Sequence, residues 1–268
     1  MSSLRVRAGT TIENGPVLRV TPESAGWSYV GFEVHRLAAG EGRAVHAADR
    51  EHCLVVLGGT VEARAGTESW VAVGARADPF GGLPHAVYAP AGVPLQVTAG
   101  ADGAEIAIAS APGTGGEGHE PSLIIPDDIK VEVRGRGPFE RRIHPILMDD
   151  RPAESLLVVE VLTPAGHWSS FPPHKHDRPD PPTETLLEET YYHRLDPPHG
   201  FGLQRVYTDD GELDEAVGFG DGDVVLVPRG YHTVSAPPGY DLYYLNVMAG
   251  PVRQWAVTDD PVHAWLKR

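Results

Sequence analysis

Two histidines one residue apart, in Pro172-Pro173-His174-Lys175-His176-Asp177, are the first place in this chain where side-chain type and spacing suit a reaction. Residues two apart on a β-strand point to the same face, about 6.5–7 Å apart along the chain, so His174 and His176 can grip one metal ion from one side. An isolated His-x-His also occurs as a plain polar strand edge, but three features count against that here. A carboxylate follows in Leu187-Glu188-Glu189-Thr190-Tyr191-Tyr192-His193, at the start of an aromatic strand. His232 follows a turn of the form Gly-x5-Pro-x-Gly, from Gly222 to Gly230. The run Tyr243-Tyr244-Leu245-Asn246-Val247-Met248 supplies the next strand. Histidines and a carboxylate on adjoining strands make a mixed nitrogen and oxygen site with positions left open for a substrate. Such a site suits Zn, Mn, Fe, Ni or Co better than Ca or Mg, and zinc heads the expected divalent transition metals. Either Glu188 or Glu189 can supply the carboxylate. Glu189 is favoured because it shares a strand face with Tyr191 and His193.

The elements that must position these groups are strands. Helical periodicity is nearly absent, and short runs rich in valine, leucine and tyrosine alternate with Gly, Pro and Asp. The first half offers Trp27–Leu37, Cys53–Leu57, Thr60–Arg64, Pro94–Thr98 and Glu105–Ala109. The second offers Ser155–Leu162, Glu189–Arg194, Gly202–Tyr207, Asp223–Val227 and Leu242–Met248. Several are too apolar to alternate, as expected of strands buried on both faces or closed into a barrel. Helical turns are expected only at Asp260–Lys267 and within Glu184–Glu189. Glycine (31) and proline (25) are spread among the apolar runs, which fits many strands joined by tight turns.

A length of 268 residues suits two domains of ordinary size. The composition shifts at 111–120, where no residue can anchor a strand. The expected organisation is a first lobe at 1–110, a linker or loop at 111–130, and a chemistry-bearing lobe at 131–268. An arginine-rich stretch, with Arg134, Arg136, Arg141 and Arg142, opens that second lobe. The halves repeat weakly: Tyr88-Ala89-Pro90-Ala91-Gly92-Val93-Pro94 has the shape of Leu226-Val227-Pro228-Arg229-Gly230-Tyr231-His232, the first ending on proline and the second on histidine. Two copies of one barrel, of which one kept its chemistry, is the simplest reading.

The formal net charge of −15 argues against nucleic-acid or anionic-membrane partners. An anionic ligand then needs local arginine or a metal. The single cysteine, Cys53, excludes an intramolecular disulfide and reads as a small buried hydrophobe. Without an apolar leader at Met1–Gly9 or a membrane-length apolar window, the expected location is cytoplasmic.

His-x-His, then a glutamate, then Pro-x-Gly and a histidine is the pattern of the cupin superfamily. This chain departs from it in a longer gap between His176 and Glu189, through the Pro-rich Arg178–Thr183, and in a shorter one between Gly230 and His232. More closely, Trp168-Ser169-Ser170-Phe171-Pro172-Pro173-His174-Lys175-His176-Asp177, Leu187-Glu188-Glu189-Thr190-Tyr191-Tyr192-His193-Arg194 and Tyr244-Leu245-Asn246-Val247-Met248-Ala249-Gly250 resemble the 5-deoxy-glucuronate isomerase family of myo-inositol catabolism. Thr21-Pro22-Glu23-Ser24-Ala25-Gly26-Trp27, Gly31-Phe32-Glu33-Val34-His35-Arg36-Leu37 and Arg134-Gly135-Arg136-Gly137 with Arg141 extend the likeness over nearly the whole chain.

The resemblance implies an all-β bicupin of two tandem β-barrel lobes of the double-stranded β-helix or jelly-roll type, with the N-terminal cupin lobe degenerate. It implies conversion of 5-deoxy-glucuronate to 5-dehydro-2-deoxy-gluconate, an aldose–ketose isomerisation through an enediolate, with the metal as Lewis acid. His174, His176, Glu189 and His232 are then the metal ligands. His193, Glu188 and Tyr192 are the candidate general bases, His193 ranking above Glu188, and a hydride shift is the other route. The substrate carboxylate calls for arginine, which meets it bidentately. Arg134 and Arg141 from the cluster, with Arg194 and Arg229 near the metal motifs, are the candidates. Trp168, Ser169 and Ser170 are placed to line the pocket. His35, His46, His52 and His85 read as structural or surface residues, and the paired tyrosines as core. A homo-oligomer is expected, since cupins commonly pair edge strands. The competing readings are a related uronate ketol-isomerase, a cupin oxygenase and a sugar-sensing cupin.

Overall fold

Strands make up nearly all of the regular structure, as the alternation of apolar runs and turn residues requires. A computed structural model describes residues 4–9 and 15–267. Among the described residues the one α-helix is the single turn Pro22–Ala25. Its signals are local: Thr21 and Ser24 form a reciprocal capping box and Pro22 opens the helix. The segment Glu184–Leu186, expected as helical, is a strand, while Ala264–Lys267 forms a 3-10 turn. No helix is long and apolar enough to cross a membrane.

Contacts divide the chain into two compact units whose sequences interleave. One comprises Gly9–Lys130 with Pro145–Val158, and the other Val131–His144 and Val159–Arg268 with the N-terminal segment through Ala8. Glu51 explains why 145–158 belongs with the first unit. Its fully buried carboxylate accepts the backbone N–H groups of Glu154 (2.8 Å), Ser155 (2.6 Å) and Leu156 (2.6 Å), together with the Tyr88 hydroxyl (2.6 Å). At the other end, strand Arg5–Val6 pairs with Val224–Val227, and the Arg5 guanidinium donates to Asp223 Oδ2 (2.8 Å). The stretch read as a linker is partly sheet: strand Leu95–Pro112 runs into it, and Ser122–Ile124 pairs with Ala86–Ala89.

In the Gly9–Lys130 unit, two long strands, Arg50–Ala65 and Leu95–Pro112, pair along most of their length. The sequence runs Cys53–Leu57 and Thr60–Arg64 are therefore two parts of one strand. Register shifts flank Gly58 and Gly59, so the strand bends there rather than ending. Glycine is required at the bend: Gly59 has φ +81°, and a Cβ on Gly58 would lie 2.4 Å from the Ala77 carbonyl oxygen. The core inside is Leu54, Val56, Val61, Val87, Leu95, Val97, Ile106 and Ile108, all buried.

The other unit makes the corresponding turn with separate strands, because Pro197 and Pro198 interrupt the ladder between Glu188–Asp196 and Gly202–Tyr207. It holds a seven-stranded and a five-stranded sheet. Glu188–Asp196 pairs with Val224–Val227 on one side and Asp241–Ala249 on the other in the first. Trp168–Lys175 lies between Tyr231–Ser235 and Thr258–Asp259 in the second. Side chains from the two sheets meet in the interior, where Tyr244 of one bonds Ser169 of the other (2.6 Å).

Candidate metal centre and substrate cavity

His174 and His232 sit directly opposite each other on paired strands of the five-stranded sheet, with ring centroids 4.6 Å apart. His176 closes the group, its ring 5.1 Å from that of His232. One ligand nitrogen from each of the three lies within 4.8 Å of the others. Glu189 enters from the seven-stranded sheet, its Oε2 3.0 Å from His176 Nε2 and 3.2 Å from His232 Nε2.

The longer and shorter motif gaps are both resolved by local structure. The Pro-rich insertion folds back as a small hairpin, Asp177–Asp180 against Glu184–Leu186. The hairpin closes where Leu187 N–H donates to the His176 carbonyl (3.0 Å), which returns the chain beside the histidines just before Glu189. Glu189 thus meets the histidines, while Glu188, its neighbour on a regular strand, projects to the other face. Before His232, the turn depends on Gly230: it has φ +90°, and a Cβ would lie 2.4 Å from the Tyr207 carbonyl oxygen. Its N–H donates to Asp177 Oδ2 (3.0 Å), tying the turn to the end of the His-x-His strand.

Hydrogen bonding assigns the ring tautomers. His176 Nδ1 lies 3.0 Å from the Leu187 carbonyl and His232 Nδ1 3.1 Å from that of Gly230, so both Nδ1 atoms carry the hydrogen. In neutral rings the Nε2 lone pairs then face the Glu189 carboxylate. Acceptors would face acceptors at this point, so the contact takes either a proton on the imidazoles or a metal cation. The Nε2 atoms of His174 and His232 are buried without a hydrogen-bond partner. Burial opposes charge on Glu189, yet His232 and His176 hold its pKa down at about 2. Burial, followed by His232 and His176, drives the His174 pKa well below its usual value. Three imidazole nitrogens and an ionised carboxylate are the donor set of a divalent transition metal, so the residues present fit one.

A cavity of about 490 Å³ opens on His174 and is lined by Arg134, Arg136, Arg141, Trp255, Asp259 and Lys267 among others. Arg141 is its deepest cation. Its Nη1 donates to the carbonyls of Phe139 (3.2 Å) and Phe171 (3.4 Å), and no carboxylate pairs with it. Burial lowers its pKa, and the nearby Tyr244 and Tyr191 hydroxyls work the other way. Those two phenols are buried beside the cluster, Tyr191 OH bonding Ser170 Oγ (2.9 Å) and Tyr244 OH bonding Ser169 Oγ (2.6 Å). Burial raises the pKa of both. Ser170 takes a left-handed backbone conformation, φ 49°, uncommon for a residue with a Cβ.

The other sequence candidates lie elsewhere. His193 does point inward, but its ring stacks on Phe219 (centroids 3.6 Å apart) and its Nε2 bonds Gln204 Oε1 (3.0 Å), outside the cavity lining. Tyr192 and Glu188 alternate to the opposite strand face and line no part of the cavity. Arg194 is held by Asp221 (2.9 Å), and exposed Arg229 by Glu212 (2.8 Å) and Asp210 (3.5 Å). Trp168 is 41% exposed and packs on Phe171 (5.6 Å) without reaching the cavity. Arg134 reaches the cavity but is already paired with Glu132 (2.6 Å).

Four residues escaped the sequence reading. Tyr191 and Tyr244 read as core, since aromatic strands usually are core; their hydroxyls are the signal that points to the site. Trp255, whose ring lies 5.7 Å from His174 and 5.6 Å from His176, sits in an irregular segment with no motif. Asp259 is placed by strand register alone, opposite His174.

An antiparallel double-sheet unit with three histidines and a glutamate converging in its interior defines a cupin, and the chain is an all-β bicupin. It belongs to the KduI/IolB family, whose pattern it matches over residues 4–266. It is 52% identical to the 5-deoxy-glucuronate isomerase of Geobacillus kaustophilus, over 99% of this chain and 96% of that one. It is 42% identical to the 5-deoxy-glucuronate isomerase of Bacillus subtilis, over 98% and 97%. Among solved structures, an IolB-like protein from Salmonella typhimurium superposes with a TM-score of 0.95 at 46% identity, covering 100% of both chains. A variant of Bacillus subtilis oxalate decarboxylase superposes with a TM-score of 0.67 at 16% identity, over 97% of this chain and 80% of that one, a likeness of fold.

Proposed function

We propose that this chain is a metal-dependent isomerase that converts 5-deoxy-glucuronate to 5-dehydro-2-deoxy-gluconate in myo-inositol catabolism. The observation that carries the reading is the pairing, around one cavity, of a cation-demanding cluster with an unneutralised arginine. Relatives named for this reaction at 52% identity over nearly the full length support the choice of substrate. His174, His176, His232 and Glu189 would hold the metal, zinc first among the transition metals that suit such ligands. When bound, it supplies Lewis acidity at the sugar carbonyl and the adjacent hydroxyl.

The chain's own groups do the rest. Arg141 takes the substrate carboxylate, the anion its buried charge lacks. Tyr191 and Tyr244, kept protonated by burial, donate to sugar oxygens. Asp259 is the sole carboxylate among the described residues lining the cavity, and it lies in register with His174. Its Oδ2 is paired with Lys267 Nζ (2.6 Å), so Oδ1 takes the proton from the carbon next to the carbonyl and returns it to the neighbouring carbon. Trp255 shields this exchange from water.

The test is isomerisation of 5-deoxy-glucuronate in D₂O, followed by NMR, with metal analysis of the same samples. Wild type is expected to hold near one metal per chain and exchange the migrating proton. His174→Ala and His232→Ala are expected to lose both. Full turnover by metal-free protein would overturn the reading.

A further inference from the structure

The weak repeat between the halves has a structural counterpart in strand register. In the metal-cluster unit, Glu189 pairs with Val227 on one side and Met248 on the other. In the Gly9–Lys130 unit, His52 pairs with Ala89 on one side and Ser110 on the other. Val227 and Ala89 each end a four-residue strand and each precede a proline, Pro228 and Pro90. His52 therefore occupies in one unit the place that Glu189 holds in the other. His232, four residues after Pro228, corresponds to Pro94, four after Pro90. The metal cluster is not repeated: among the described residues His174, His176 and His232 form the one group of that kind.

What persists is the cavity. Its volume is about 430 Å³, and its polar lining includes Arg19, Glu33, His46, Arg50, His52 and Ser110. Two of the groups facing it, His52 and Arg19, have ring or terminal nitrogens without a protein acceptor, beside the carboxylates Glu23 and Glu33. His52 is 6% exposed, its Nδ1 is buried without a partner, and neither ring nitrogen bonds the protein. Arg19 uses Nε on Glu33 (2.8 Å) and has no protein partner for its terminal nitrogens. Glu33 is already engaged, by Arg19 and by His35 Nε2 (3.0 Å). Arg50 stands at the inner wall, donating to the carbonyls of Tyr29 (2.6 Å) and Ser110 (3.0 Å). Two carboxylates line the cavity, Glu33, engaged by Arg19 and His35, and Glu23 at its exposed rim, so the buried His52 nitrogen and the half-exposed Arg19 terminal nitrogens are the groups left to meet a ligand's acceptors.

We propose that this cavity is a second binding site, for a small hydroxylated carboxylate of the sugar-acid class, with the carboxylate at the Arg19 terminal nitrogens and hydroxyls at His52. The choice of a sugar acid rests on the isomerase reading; the donor-rich cavity does not.

The experiment is equilibrium dialysis of labelled D-gluconate, a sugar acid with no carbonyl to isomerise, against the metal-loaded full chain. Wild type is expected to bind two gluconates per chain. Arg141→Ala is expected to lose one of them. Arg19→Gln, a surface change that leaves the core intact, is expected to weaken the other by about tenfold or more, with turnover within about twofold of wild type. His52→Leu should do the same. A single gluconate per chain, unmoved by Arg19→Gln, would overturn the proposal. So would equally tight binding of uncharged D-sorbitol at the Arg19-dependent site. A loss confined to Arg19→Gln and His52→Leu, with Arg141→Ala silent, would uphold this site and count against the active-site reading alone.

Discussion

Glu189 Oε2 lies 3.2 Å from His232 Nε2, the two side chains arriving from different sheets with lone pairs aimed at each other. Without a cation this contact is repulsive or demands a proton. Glu189→Gln keeps the shape and removes the charge. It is expected to weaken metal retention by at least about tenfold, with turnover falling in parallel. Dialysis against a graded chelator, with metal content read by mass spectrometry, checks this; unchanged retention would remove Glu189 from the ligand set.

Arg141 should be irreplaceable by lysine. A charge-assisted hydrogen bond to a carboxylate is worth about 1.5–3 kcal/mol, so Arg141→Ala should lower kcat/KM by about 10–100-fold. Arg141→Lys should recover little, because lysine lacks the bidentate fork. Steady-state kinetics on the two variants, beside an unchanged metal content, separates substrate binding from metal loss.

Asp259→Asn tests the proton carrier apart from binding. The variant should keep its metal and its affinity for D-gluconate at the Arg141-dependent site, while proton exchange in D₂O falls by about 10²–10⁴-fold. Exchange at the wild-type rate would return the base to another group.

Glu51, a carboxylate with no exposure, anchors the 145–158 segment through three backbone hydrogen bonds and accepts a fourth from the Tyr88 hydroxyl. Glu51→Ala leaves three backbone N–H groups and the Tyr88 hydroxyl without an acceptor. Each such loss costs about 1–3 kcal/mol, so destabilisation above about 3 kcal/mol is expected. Chemical denaturation at neutral pH measures it.

His52 gives stability a pH dependence. Burial, then the Arg50 charge, pushes its pKa down to about 4 from 6.5. The unfolded chain binds its proton first, so this contribution is complete above pH 6.5 and is lost as pH falls from there to about 4. The loss is at most about 3 kcal/mol. His52→Gln should flatten the stability profile between those limits; an unchanged slope would assign the titration to other groups.

The His-x-His strand, the carboxylate strand and the histidine after the Pro-x-Gly turn were legible because each is local. Strand alternation alone puts His174 with His176 on one face, and Glu189 with Tyr191 and His193 on another. Long-range register was not legible. It decided that Asp259 lies beside His174 and that His193 is spent on Phe219 and Gln204. The arginines show the same division. Six of them were equivalent as letters; which one is buried without a counter-charge depends on where Glu132, Asp221 and Glu212 fall in space.

Composition, turn residues and motif spacing, then, determined by themselves that this is an all-β chain and singled out His174, His176, Glu189 and His232 as a candidate metal centre, because period, turn chemistry and same-face geometry act over a few residues. Only the tertiary structure decided which side chains share the cavity, where 145–158 belongs, and that the lobe without the metal cluster keeps a cavity of its own. Those outcomes rest on packing and pairing between residues distant in sequence, which short-range pattern does not encode.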